Sequence, residues 1–320
     1  MNRSFRLMLG AAALLSASLP VYAGVSMDRA SQSIPACPFP VNPASLYRWG
    51  VPMGGCDVGG LGPVTEVWEG SLGLVPADNV DAVSANTTTG KNINYHIYFS
   101  ADRASLGMLG TPYRAEATLN QAASDIWRMN NLTVASPLAS LAACAPTPIG
   151  GAHALFRNQD SYDFIFTAPP GVGPLGGNYD NIDALELDDL DPSLDKFHDV
   201  GVYFSLDAAS PSLGGASAAA IFFTPVGGAP GVWSGAAPLG LVAADDIDAL
   251  VVWDRGVVGA PDPGMDLVLF SLAPGSPSLG GLSPAGIFVS DLTGFFCVYV
   301  QANTLGMRVI DNIDGLDVLP

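Results

Sequence analysis

Asp180-Asn181-Ile182-Asp183-Ala184-Leu185 is one of four acidic hexads in this chain, and their recurrence decides the fold. The others are Asp78-Asn79-Val80-Asp81-Ala82-Val83, Asp245-Asp246-Ile247-Asp248-Ala249-Leu250 and Asp311-Asn312-Ile313-Asp314-Gly315-Leu316. Each follows a Leu-Gly pair by three or four residues: Leu72-Gly73, Leu175-Gly176, Leu239-Gly240 and Leu305-Gly306. First aspartates at 78, 180, 245 and 311 define a unit of about 65 residues, with an insertion in the first.

The agreement continues between the hexads. Val202-Tyr203-Phe204-Ser205-Leu206 followed by Ser210-Pro211-Ser212-Leu213-Gly214 matches Val268-Leu269-Phe270-Ser271-Leu272 followed by Ser276-Pro277-Ser278-Leu279-Gly280. The first unit has Ile97-Tyr98-Phe99-Ser100 and then Ser105-Leu106-Gly107. A third run is Ile221-Phe222-Phe223-Thr224 in one unit and Ile287-Phe288-Val289-Ser290 in another, with Ser124-Asp125-Ile126-Trp127-Arg128 in that slot of the first. A last run, such as Phe296-Cys297-Val298-Tyr299-Val300, leads back to the Leu-Gly pair. Runs of four to eight residues rich in Val, Ile, Phe and Tyr, separated by Gly, Pro, Ser and Asp, are strand signals. A helical period shows only over 115–129.

Four strands per repeated unit predict an all-β propeller. The N-terminal segment reaches Val64-Thr65-Glu66-Val67-Trp68-Glu69 without a hexad before it, and the last hexad is followed only by Asp317-Val318-Leu319-Pro320. A unit split across the ends would be completed if the C-terminal strand joined the N-terminal sheet, closing four blades and removing exposed edges. The units run about 78–179, with an insertion near 130–160, then 180–244 and 245–310, with 24–77 plus 311–320 as the split unit. The alternative is a tandem array of small β-sandwich or solenoid-like units.

Arg3 and Arg6, the apolar stretch Leu7 to Leu19 and Val21-Tyr22-Ala23 read as a secretory signal peptide over 1–23. The domain is then 24–320, and its place is secreted, extracellular or periplasmic. Hydrophobic residues make up 49% and charged residues 13% of the 320, so a packed core is available and a disordered polyelectrolyte is excluded. No later run reaches the roughly 18 apolar residues of a transmembrane helix. The formal charge of −18 becomes −20 without the leader's two arginines, which disfavours nucleic acid and anionic lipid and favours divalent cations. Cys37, Cys56, Cys144 and Cys297 allow two disulfides, most simply Cys37 with Cys56 and Cys144 with Cys297.

Hard cations such as calcium take six to eight oxygen ligands. Each hexad places two or three oxygen-bearing side chains within four positions, so Asp78, Asp81, Asp180, Asp183, Asp245, Asp246, Asp248, Asp311 and Asp314 are the candidate ligands, with calcium as cofactor. Around a common axis the fourth-position acids Asp81, Asp183, Asp248 and Asp314 would crowd together, a state that favours a cation or raised pKa values. The competing reading is structural: Asp and Asn at a turn bond their own backbone. The Ile-Asp-Ala opening of the units resembles hemopexin-like four-bladed propellers over three residues per repeat, and the resemblance implies ions along a central channel.

Other patterns carry less. Gly171-Val172-Gly173-Pro174-Leu175-Gly176 spells a dinucleotide fingerprint, but an acidic hexad follows where a helix N-terminus would have to hold phosphate. Ser71 and Ser234 lack a nucleophile elbow. Glu66 and Glu69 fall on opposite faces of a strand, which argues against a paired-carboxylate glycosidase. His96, His153 and His198 are scattered; Asp188-Asp189-Leu190-Asp191 with Asp195 reads as a solvated loop, and the five tryptophans as core residues or glycan platforms. The expected function is a secreted, calcium-stabilised, non-enzymatic β-repeat module that binds a surface glycan or protein. The alternatives are a secreted hydrolase using channel carboxylates and a structural extracellular matrix component.

Overall fold

The computed structural model describes residues 22–27, 46–49, 64–67, 72–75, 77–87, 94–118, 122–133, 152–157, 180–187, 201–225, 230–305 and 307–319. These form an all-β structure of four antiparallel four-stranded sheets. The first unit contributes β4 (Val80–Thr87), β5 (Asn94–Ala101), β6 (Ile126–Thr133) and β7 (Ala152–Arg157). The second contributes β8 (Ile182–Leu187), β9 (Val202–Leu206), β10 (Ile221–Thr224) and β11 (Gly231–Ser234). The third contributes β12 (Ile247–Trp253), β13 (Leu267–Leu272), β14 (Ile287–Ser290) and β15 (Phe296–Val300). Each is a meander in chain order.

The fourth sheet runs β16-β1-β2-β3, from β16 (Ile313–Leu319), β1 (Tyr22–Met27), β2 (Leu46–Trp49) and β3 (Val64–Val67). The C-terminal strand therefore pairs with the N-terminal segment, from Tyr22 opposite Leu319 to Met27 opposite Ile313. Strand β1 starts two residues inside the segment read as a leader. A chain beginning at Gly24 keeps the pairings of Gly24, Val25, Ser26 and Met27 with Asp317, Leu316, Gly315 and Ile313.

Every unit opens its sheet with the hexad strand, and these four strands adjoin: β4 lies against β8, β8 against β12, β12 against β16, and β16 against β4. The apolar cores fill the spaces between successive sheets. Ile247, Leu250 and Val252 of β12 pack with Tyr203, Ile221 and Trp233 of the preceding unit. Ala249 and Val251 pack the other way, with Ile313 and Leu316. Burial on both faces explains why β12 reads after Asp248 as an unbroken apolar run, Ala249 to Trp253, rather than an alternating one. Serines of the second strands bond across the same gaps: Ser205 Oγ donates to the Ile247 carbonyl and Ser271 Oγ to that of Ile313, both at 2.8 Å.

The helical period of the first unit resolves into α1 (Pro112–Ala117), capped by Thr111 and started by Pro112, with β6 beginning only at Ile126. The expected insertion holds the fourth strand, β7, at 152–157, and residues 134–151 lie outside the described ones. Gly240 of the Leu-Gly pair has φ 82°, and a Cβ there would meet the Phe295 backbone at 2.8 Å, so both the turn and the close approach require glycine. Cys297 on β15 is a free, exposed thiol; Cys37, Cys56 and Cys144 lie outside the described residues.

Candidate functional site

The hexad aspartates divide into two groups with different surroundings. The first of each is a turn lock. Asp78 accepts from the amides of Val75 (2.8 Å), Leu106 (2.7 Å) and Gly107 (3.0 Å). Asp245 accepts from the amide of Val242 (2.7 Å) and from the amide and hydroxyl of Ser278 (2.8 and 2.6 Å). Asp180 takes the amide and hydroxyl of Ser212, and Asp311 the amide of Arg308. The recurrent Ser-Pro-Ser-Leu-Gly turn thus exists to grip this carboxylate, and its first serine accepts from the next hexad residue, as Ser210 Oγ does from the Asn181 amide at 2.9 Å.

The fourth aspartates face inward. In each sheet the ladder slips one residue at this position: Val80 and Ala82 oppose Ala101 and Ser100, and Ile182 and Ala184 oppose Leu206 and Ser205. The same bulge falls at Asp248 and Asp314. A β-bulge bends the strand and re-aims the extra residue's side chain, so the flanking Ile/Val and Ala both enter the core while the aspartate turns out of it. Asp81, Asp183, Asp248 and Asp314 line one cavity of about 570 Å³, together with Asp246 and with Asp102, Arg103 and Asp207 from the loops after β5 and β9. Asp78, Asp180, Asp245 and Asp311 are not among its lining residues.

Between the inner carboxylates stand the second-position asparagines. Asn79 Nδ2 donates to Asp81 of its own unit (2.6 Å) and to Asp314 of the neighbouring one (2.9 Å). Asn181 Nδ2 bridges Asp183 and Asp81, both at 2.7 Å, and Asn312 Nδ2 bridges Asp314 and Asp248, both at 2.6 Å. Three of the four gaps are therefore closed by a carboxamide that gives one hydrogen to each side. The fourth, between Asp183 and Asp248, has Asp246 in the asparagine's place.

Burial dominates the electrostatics. Asp81 is pushed up to about 8 by desolvation and then by the charge of Asp102, against the pull of Asn181 and Asn79. Asp183 is raised well above the carboxylate range by burial and by the charges of Asp248, Asp81 and Asp246. Asp246 is raised to about 6 by burial and by Asp207. An acid raised as far as Asp81 holds its proton at neutral pH unless a positive charge joins it. Arg103 is already engaged, with Asp207 Oδ1 and Ser210 Oγ both at 3.1 Å. Among the described residues, no three or more His, Cys, Asp or Glu side chains stand close enough to enclose a metal ion.

Sequence reading missed the asparagine bridges and the outer pair Asp102 and Asp207. A signal for the latter existed: Asp102-Arg103-Ala104-Ser105 recurs as Asp28-Arg29-Ala30-Ser31, directly after β1, the second strand of the split unit. Of the tryptophans, Trp127 and Trp233 are core residues and Trp253 is half-buried against the core between the third and fourth sheets. His198, Trp68, Glu69 and 188–195 lie outside the described residues, as do the side chains of His96, His153, Trp49 and Glu66. Compared with protein-family models, curated proteins and solved structures, the chain matches none.

Proposed function

We propose that the chain is a four-bladed propeller, closed by its C-terminal strand, that serves outside the cytoplasm as a calcium-stabilised binding module. The observation that carries this is the convergence of Asp81, Asp183, Asp248 and Asp314, each from the opening strand of a different sheet, on one acid-lined cavity. The cyclic contacts of β4, β8, β12 and β16 and the pairing of β16 with β1 support the closed arrangement. Oxygen-only donors and an excess of negative charge suit a hard cation, and calcium in particular.

Exposed apolar residues sit on the loops that carry the hexads and their locking turns: Leu109 is 82% exposed, Val309 68% and Ile310 61%. With Trp127 and Trp233 in the core, that surface suits a protein partner better than a glycan. The test is thermal melting with calcium and with a chelator. Free ion a hundredfold above its Kd adds about 2.7 kcal/mol to a native state that alone binds it. A midpoint indifferent to calcium removes the ion from the reading.

A further inference from the structure

We draw no further inference here: the strongest candidate, the outer edge of the third sheet at β15, where the uncharged run Phe296–Val300 stands beside the exposed Phe295 and carries the free thiol of Cys297, is an apolar strand edge, and nothing in the structure shows what covers it.

Discussion

Replacing Asp245 by Ala separates the two roles that the hexads combine. Its carboxylate, 1% exposed, accepts three hydrogen bonds, from the Val242 amide and from the amide and hydroxyl of Ser278. Bonds to a charged acceptor contribute roughly 1.5–3 kcal/mol each, and losing the acceptor strands its donors. The Ser278 hydroxyl is half-buried and finds water, and Val242 is 49% exposed, so the full sum is not lost. The expected loss is about 3 kcal/mol, or roughly 6–12 °C in midpoint for a chain above 150 residues. Asp245→Asn keeps one acceptor oxygen and should lose about a third as much. Urea unfolding by circular dichroism, with and without calcium, measures both variants. The carboxylate belongs to the turn and not to the cavity, so the calcium-dependent shift should persist undiminished. A loss below about 1 kcal/mol would show that the lock is ornamental. A vanished calcium response would return Asp245 to the ion's ligands and refute the division of the aspartates.

Two further outcomes follow from the same geometry. Folded-state pKa values raised for Asp81, from 3.8 to about 8, and for Asp246, to about 6, mean that the native chain binds more protons than the unfolded one between those limits. In chelator, stability should therefore fall as pH rises from about 4 to 8, by a few kcal/mol, and calcium should flatten the slope; a midpoint that climbs over this window contradicts it. Gly315→Ala would place a Cβ 2.5 Å from Ser26 Oγ, 2.9 Å from Val83 Cγ1 and 3.1 Å from the Val83 amide, costing about 1–3 kcal/mol by overpacking, although the other hexads carry alanine there; an unshifted urea midpoint would show that β16 and β4 can part freely.

Much of this arrangement was legible before any coordinates. Hexad spacing marked the units, the run lengths marked the strands, and the orphaned hexad at 311–316 pointed to a C-terminal strand joining the N-terminal segment, where β16 pairs with β1. The site was half legible. On a regular strand the first and fourth aspartates would fall on opposite faces. A bulge at the fourth position instead aims that residue at the cavity and leaves the first in its turn. The asparagines carried a visible clue, since the third hexad alone replaces asparagine by aspartate. What hid their role is that each bridges its own unit to the one before, over separations of 64 to 235 residues. Local pattern reading cannot see a bond of that reach.

A fourfold repeat has no need to vary a residue that holds its units together. Asn79, Asn181 and Asn312 each satisfy two carboxylates without adding charge, which makes the amide the economical solution at a crowded centre. Installing an acid at the one remaining gap costs stability in the bare chain, because a raised carboxylate and its neighbours must take up protons or repel. Among the described residues, the contact of β8 with β12 is the one between adjoining hexad strands that no asparagine amide bridges.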